Sequence, residues 1–240
     1  MEYAFVLVLG LFAGTLGGVV GTGSSLVLMP VLVVMFGPRE AVPIMAIAAL
    51  LGNLGRVVAW WDAIRWKACA AWCATAVPGA MLGARLLLAI PPGAAELALG
   101  VFFLALIPLR HWLARRDFTL SLAHLALLGG PLGLVTGLVV STGPLTVPLF
   151  AFHGLGQGAL LGTEAAASIG MYGAKVGTFG ALDALPRDVV WQGLLVGTTL
   201  MAGSFIGRRI VLALTPGAFR LLVDALMLCS GLALLWAAWR

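Results

Sequence analysis

Long apolar stretches separated by short polar ones dominate the pattern of the chain. A helix needs about 20 apolar residues to cross a bilayer. Six stretches predict one span each, and they are Pro43–Trp61, Trp66–Ile90, Ala94–Trp112, Gly158–Leu182, Val189–Leu214 and Ala218–Trp239. Two further stretches, Tyr3–Phe36 and Phe118–Phe152, are too long for one ordinary span, and Gly, Ser, Thr and Pro interrupt both in the middle. The pattern predicts an all-α polytopic membrane protein.

The second half of the chain repeats the first. Aligned positions are identical at Gly79 and Gly203, Gly83 and Gly207, Arg85 and Arg209, Leu88 and Leu212, Ala89 and Ala213, Pro92 and Pro216, Gly93 and Gly217, and Ala94 and Ala218. We therefore expect one repeat over residues 1–113 and a second over 114–240, each a broken segment followed by three plain transmembrane helices. If each broken segment crosses the membrane, the repeats are parallel. If each re-enters as a hairpin, as their length favours, the repeats are inverted, and such repeats are common in secondary transporters.

Composition narrows the class of protein further. The chain is 62% hydrophobic and 10% charged, against about 25% charged residues in a soluble domain. The net charge of +5 does not indicate nucleic-acid binding, because much of its excess lies in short loops that would face the cytoplasm. These basic residues are Arg65, Lys67, Arg110, Arg115 and Arg116. Three cysteines without a metal-ligand cluster, and no nucleophile with a base partner, lead us to expect no metal, no cofactor and no enzyme activity.

The two interruptions are the main functional signal. They read GTGSSLVLMP over Gly21–Pro30 and VVSTGPLTVP over Val139–Pro148. Irregular backbone persists in the hydrocarbon region only where protein buries it or where it lines a cavity, and a half-helix N-terminus suits an anion. The binding residues we expect at the breaks are Thr22, Gly23, Ser24, Ser25, Ser141, Thr142 and Gly143. The alternative is that these small residues only allow close helix packing.

Charged residues inside apolar stretches supply further candidates. A charge at mid-bilayer costs about 2.5–3.5 kcal/mol, so it indicates function. Arg56 and Lys175 occupy nearly matching places in the two halves, as do Asn53 and Tyr172. Two such cations facing two breaks would form a basic pocket for an oxyanion. Alternatively, Arg56 extends to the membrane surface, since Trp61 lies close in sequence.

Two residues are candidates for proton coupling. Glu164 could neutralise Lys175, although eleven residues separate them by about 16 Å along one helix. It could instead carry a proton, or lie near the membrane surface. His153 follows the second break and could respond to pH, or it could simply be solvated.

The sequence resembles the sulfite exporter TauE/SafE family over nearly its whole length. The resemblance lies in G-x-G-small-small-L-x-x-x-P in the first half, G-P-L-x-V-P in the second, the AIRWK stretch (Ala63–Lys67), and the G-A-R-L and G-R-R-I motifs, each followed by P-G. Where that family usually has a run of glycines, this chain has Gly23-Ser24-Ser25 and Val140-Ser141-Thr142-Gly143. The resemblance implies an inner-membrane permease or exporter for sulfite or organosulfonates.

The residues and the resemblance together lead to one expected function and one alternative. We expect a secondary transporter in which the two repeats rock around a central anion site, with Arg56 and Lys175 supplying the charge. An anion channel, or a transporter for another small anion, is the alternative. The expected partners are a small anionic substrate and the lipid bilayer. A homodimer could form if the glycine faces Gly79/Gly83 and Gly203/Gly207 pack between chains.

Overall fold

The computed structural model describes residues 2–20, 24–116, 119–139 and 142–210, and the isolated positions 221, 228, 232, 235 and 236. The expected last span, Ala218–Trp239, lies outside the described residues apart from those isolated positions. The helices of the described part are α1 (Glu2–Val20), α2 (Ser24–Phe36), α3 (Pro38–Ala59), α4 (Trp66–Ala89), α5 (Pro92–Ala114), α6 (Leu122–Leu138), α7 (Gly143–Phe152), α8 (Gln157–Ala181) and α9 (Arg187–Ile210). A short 3₁₀ turn, Trp61–Ala63, follows α3.

Three helices in the described part are long and apolar enough to cross a membrane. They are Arg39–Ala59, Trp66–Ala89 and Arg187–Ile206. Shorter apolar helices, such as Leu122–Leu138, accompany them. These lengths and compositions fit the predicted helical membrane protein.

Each interrupted stretch forms two helices that meet at the break. In the first, α1 ends at Val20 and α2 begins at Ser24; in the second, α6 ends at Leu138 and α7 begins at Gly143. With 13 and 10 residues, α2 and α7 measure about 20 Å and 15 Å. Both are shorter than the hydrocarbon core of about 30 Å, so neither crosses it alone.

The turn from α2 to α3 depends on a glycine. Gly37 has φ 74°, a left-handed conformation that side chains disfavour, and Pro38 then opens α3 with a backbone angle suited to a first helical turn. The two helices contribute much of the core, including the fully buried Leu28, Leu32 and Ile44. This packing helps to set the position of Ser24, where α2 begins, relative to α3.

Glycines allow two helix pairs to pack backbone against backbone. A methyl group at Gly79 of α4 would overlap the carbonyl oxygen of Gly130 on α6. A methyl group at Gly203 of α9 would overlap the carbonyl oxygen of Leu11 on α1. Gly79 and Gly203 are therefore covered within one chain, as small residues at helix interfaces often are.

In each of four helix pairs the two helices are parallel, because the numbers of the contacting residues rise together along both helices. Between α1 and α9, Gly10 contacts Val196 and Gly14 contacts Leu200; between α3 and α9, Ile47 contacts Gly193 and Ala48 contacts Gly197. Between α4 and α6, Ala76 contacts Gly133 and Ala80 contacts Gly137. For α4 and α8, Arg65, just before α4, contacts Thr163, and Cys73 contacts Ala167. It follows that α1 and α3 are parallel to each other, since both are parallel to α9. In the same way α6 and α8 are parallel to each other, since both are parallel to α4.

The helices α3 and α8 run in opposite directions. Arg56 contacts Glu164, and Trp60, which directly follows the end of α3, contacts the earlier residues Gly162 and Gly158 of α8. Because α1 and α3 run the same way, α2 returns between them, so α1 and α2 form a hairpin. The direction of α1 is opposite to that of α6, as the direction of α3 is to that of α8.

Candidate functional site

A polar cavity of about 30 Å³ lies beside the first break, between α3, α8 and α9. Its polar lining includes Ser24, Ser25, Asn53, Arg56, Glu164 and Tyr172. A water molecule needs about 10–15 Å³ measured in this way, so the cavity has room for two waters.

A buried ion pair forms one wall of this cavity. Arg56 Nη1 donates a hydrogen bond to Glu164 Oε2 at 2.8 Å, and Arg56 Nη2 donates one to Asn53 Oδ1. Asn53 Nδ2 in turn donates to the carbonyl oxygen of Ala49 at 2.8 Å. Arg56 is 7% exposed and Glu164 is 2% exposed, so each ion is compensated where water is scarce. Arg56 therefore points into the protein and does not extend to the membrane surface.

Glu164 also links this wall to the helix that follows the second break. The Ser168 hydroxyl donates to Glu164 Oε1 at 2.8 Å, and the Thr146 hydroxyl of α7 lies 3.5 Å from the same oxygen. One carboxylate thus contacts α3, α7 and its own helix α8. Its cation partner is Arg56, not Lys175.

Lys175 lies in a different environment. Its side chain is 0% exposed, and Nζ donates to the carbonyl oxygens of Thr136 at 2.9 Å and Val139 at 2.6 Å. Nζ also lies 5.8 Å from the centre of the Phe179 ring, within cation–π range. The last carbonyls of a helix lack partners within it and carry partial negative charge. Lys175 therefore fixes the end of α6 at the second break.

The described residues on both sides of the second break form hydrogen bonds with one another. The hydroxyls of Thr136 and Thr142 lie 2.5 Å apart, and the Thr142 carbonyl accepts a hydrogen bond from the Thr146 amide at 2.9 Å. Thr142 and Gly143 are both buried, yet neither lines the cavity. The structure therefore gives the two breaks different polar surroundings.

The structure brings together some of the residues expected at one site and separates others. Ser24, Ser25, Asn53, Arg56 and Tyr172 share the cavity with Glu164, whereas Thr142, Gly143 and Lys175 lie at the second break. His153 follows α7, where its Nδ1 lies 2.7 Å from the Leu120 carbonyl oxygen. Thr22, Gly23 and Ser141 lie outside the described residues. The expected pocket with two cations is therefore not formed in this arrangement.

Three contributing residues were missed from the sequence. Ser168 lies four residues after Glu164, a spacing that places both on one helix face, so the sequence did contain that signal. Thr146 and Thr136 reach the site only through the packing of α7 and α6, which no local pattern indicates. Within the described ranges, no group of three or more His, Cys, Asp or Glu residues could hold a metal ion.

Comparison with known proteins gives one match. A family model described as "Sulfite exporter TauE/SafE" matches residues 6–234 of the 240, while no curated protein and no solved structure matches. The family consists of membrane transporters for sulfite or related anions, not enzymes, which agrees with a small anionic substrate and a lipid bilayer as partners. Because the match covers nearly the whole sequence, the chain belongs to the TauE/SafE family of sulfite exporters.

Proposed function

We propose that this chain is a secondary transporter that moves sulfite or a small organosulfonate across the cell inner membrane by alternating access. The cavity beside the first break is its substrate site. The buried guanidinium of Arg56 on the cavity wall is the observation that carries this proposal. A cation inside a membrane protein is costly and indicates a function, and guanidinium geometry matches the oxygens of an oxyanion.

Several groups around Arg56 can donate to the oxygens of an anion. Ser24 and Ser25 stand at the first turn of α2, where amides and the helix dipole favour negative charge. The amide of Asn53 and the phenol of Tyr172 face the same space. Three oxygens on one sulfur, as in sulfite and sulfonates, suit such convergent donors. The proposed site includes no charge from Lys175, which instead holds the second break in shape.

The packing of the helices supports two inverted repeats, over 1–113 and 114–240. In this comparison α1, α2, α3 and α4 of the first repeat correspond to α6, α7, α8 and α9 of the second. The packed pair of α1 and α9 then corresponds to the packed pair of α6 and α4. The contacts correspond in detail, because Gly14 lies against the Leu200 backbone as Gly133 lies against the Ala76 backbone. Corresponding helices run in opposite directions, which is the relation expected of inverted repeats.

The moving units in this proposal differ from the two repeats. Each backbone-packed pair joins one helix of each half, since α1 packs on α9 and α6 packs on α4. We therefore assign α1, α3 and α9 to one unit and α4, α6 and α8 to the other, in place of one repeat rocking on the other. The cavity and the Arg56–Glu164 pair lie between α3 and α8, so opening and closing there would expose the site to each side in turn.

Uptake of labelled sulfite into proteoliposomes tests this proposal. We expect saturable uptake that a small organosulfonate inhibits, and that sulfate inhibits less. Uptake that rises without saturation would indicate the alternative, an anion channel. The matched pair of variants is Arg56→Gln, which removes the cavity cation, and Arg116→Gln, which removes an exposed cation stacked on Trp112. Equal uptake by both variants would contradict the assigned site.

A further inference from the structure

We propose that sulfite crosses together with a proton, and that Glu164 carries this proton. The inference rests on the proposed transport function and on the assignment of the cavity as the substrate site. It makes the protein a proton–anion cotransporter in which the coupling residue lines the same cavity as the anion site.

The charge balance of the cavity motivates this proposal. In the structure the positive charge of Arg56 is already matched by Glu164, with Nη1 and Oε2 2.8 Å apart. An anion entering next to this pair would meet a carboxylate as well as a guanidinium, inside a region where charges interact strongly. A proton on Glu164 removes the competing charge, and Arg56 can then bind the anion.

The other groups around Glu164 leave the proton to this carboxylate. Ser168 and Thr146 present hydroxyls that do not titrate, and α4 presents Cys73, whose thiol donates to the Ala167 carbonyl at 3.7 Å. On α8 itself, Tyr172 lines the same cavity. Arg56 is the cation that contacts it from α3.

The other charged groups near α8 in the described part of the chain have different surroundings, and Arg65, whose amide donates to the Thr163 hydroxyl, is exposed. Lys175 is bonded to the carbonyls at the end of α6, Asp62 is exposed on the 3₁₀ turn, and His124 is exposed at the start of α6. His153, the other candidate for proton coupling, is occupied with the Leu120 carbonyl beyond α7. Glu164 is thus the titratable group that can release Arg56 to bind an anion.

Each transport cycle carries one proton and one anion across the membrane. On the first side a proton binds a Glu164 oxygen, the hydrogen bond from Arg56 Nη1 is released, and that N–H binds an oxygen of sulfite. After α3 and α8 rearrange, the anion leaves to the other side. Glu164 then loses its proton to the same side, and the Arg56–Glu164 pair forms again. The empty carrier returns with its charges paired, which is the state seen in the structure.

Exchange of labelled sulfite across proteoliposomes at equal pH on both sides tests the proposal. The variants are Glu164→Gln, which imitates the protonated carboxyl, and His153→Gln as the control. Sulfite itself titrates, so the quantity compared is the ratio of the wild-type KM to the variant KM at each pH. We expect this ratio for Glu164→Gln to rise by about tenfold per pH unit once the carboxylate ionises. For His153→Gln it should stay constant.

A constant ratio for Glu164→Gln across the pH range would overturn the proton-carrying role. Absence of sulfite exchange by the wild-type protein would instead remove the proposed function itself, so the two failures are distinguishable. If Glu164→Gln does not fold, Ser168→Ala provides the second test. This variant removes the hydrogen bond to Glu164 Oε1, so the pH at which KM rises should move. No movement would count against the proposal.

Discussion

Arg56 and Lys175 are both buried cations at corresponding places of two helices, yet they have different surroundings. Arg56 contacts a carboxylate and an amide on the wall of a cavity. Lys175 donates to two backbone carbonyls at a helix end. In the first arrangement the charge of Arg56 can change partners, because the partner is a side chain that can move away. The second uses its charge to bind the carbonyl oxygens of Thr136 and Val139, where α6 ends.

The difference teaches that position in an internal repeat does not determine the role of a buried charge. The role of the charge depends on the group that faces it, and in this protein that group differs between the two repeats at one position. Glu164 of α8 corresponds to Met45 of α3, at the same spacing that relates Lys175 to Arg56. The acidic partner therefore exists for only one of the two cations, and it gives the first break a polar cavity.

The largest expected effect comes from Arg56→Gln. Removing the guanidinium leaves Glu164 buried without its partner, at a cost of about 3–5 kcal/mol, and it removes the cation of the anion site. Sulfite uptake should be lost and the unfolding midpoint in detergent should fall. The double variant Arg56→Gln/Glu164→Gln should regain most of the stability but not the uptake. Normal uptake by either variant would abolish the contrast with Lys175.

Lys175→Met should affect stability while leaving substrate affinity unchanged. Two buried carbonyls, of Thr136 and Val139, lose their donor, and the expected loss is about 2 kcal/mol. Denaturant titration of the purified protein measures this loss, and sulfite exchange of the folded fraction gives KM. A KM raised as strongly as by changes at Arg56 would place Lys175 in the anion site after all.

The smallest effects sharpen the comparison between the breaks themselves. Ser25→Ala removes a hydroxyl from the cavity lining, and loss of a hydrogen bond to a charged ligand should raise KM by about tenfold. Thr142→Ala removes a hydroxyl that bonds to Thr136 at the second break. It should leave KM unchanged and lower stability by about 1 kcal/mol. Equal KM values for the two variants would argue against an anion site at the first break alone.

Much of this architecture was predictable because membrane sequences obey strict local rules. The breaks before Ser24 and Gly143 follow from clusters of Gly, Ser, Thr and Pro inside apolar stretches, where a helix cannot continue undisturbed. Arg56, Asn53 and Tyr172 could be selected from the sequence as candidate residues because polar groups are rare in such stretches. They line the cavity together.

The pairing of the charges was not predictable from local sequence. Arg56 and Glu164 are 108 residues apart, and they meet because α3 and α8 run in opposite directions. The sequence offered Lys175 as a possible partner of Glu164, although their spacing along one helix argued against a direct pair, and both do lie on α8. The role of Lys175 likewise depends on where α6 ends, beyond what the residues near Lys175 indicate.

The packing of Gly14 on Leu200 has a consequence for how the protein is made. At about 5–20 residues per second, roughly 10–40 s of translation separate the synthesis of these two contact residues. During this time α1 is already available to the insertion machinery, while α9, on which Gly14 packs, has not yet been made. Biogenesis must therefore hold the first helix in lipid or against the translocon until the ninth arrives.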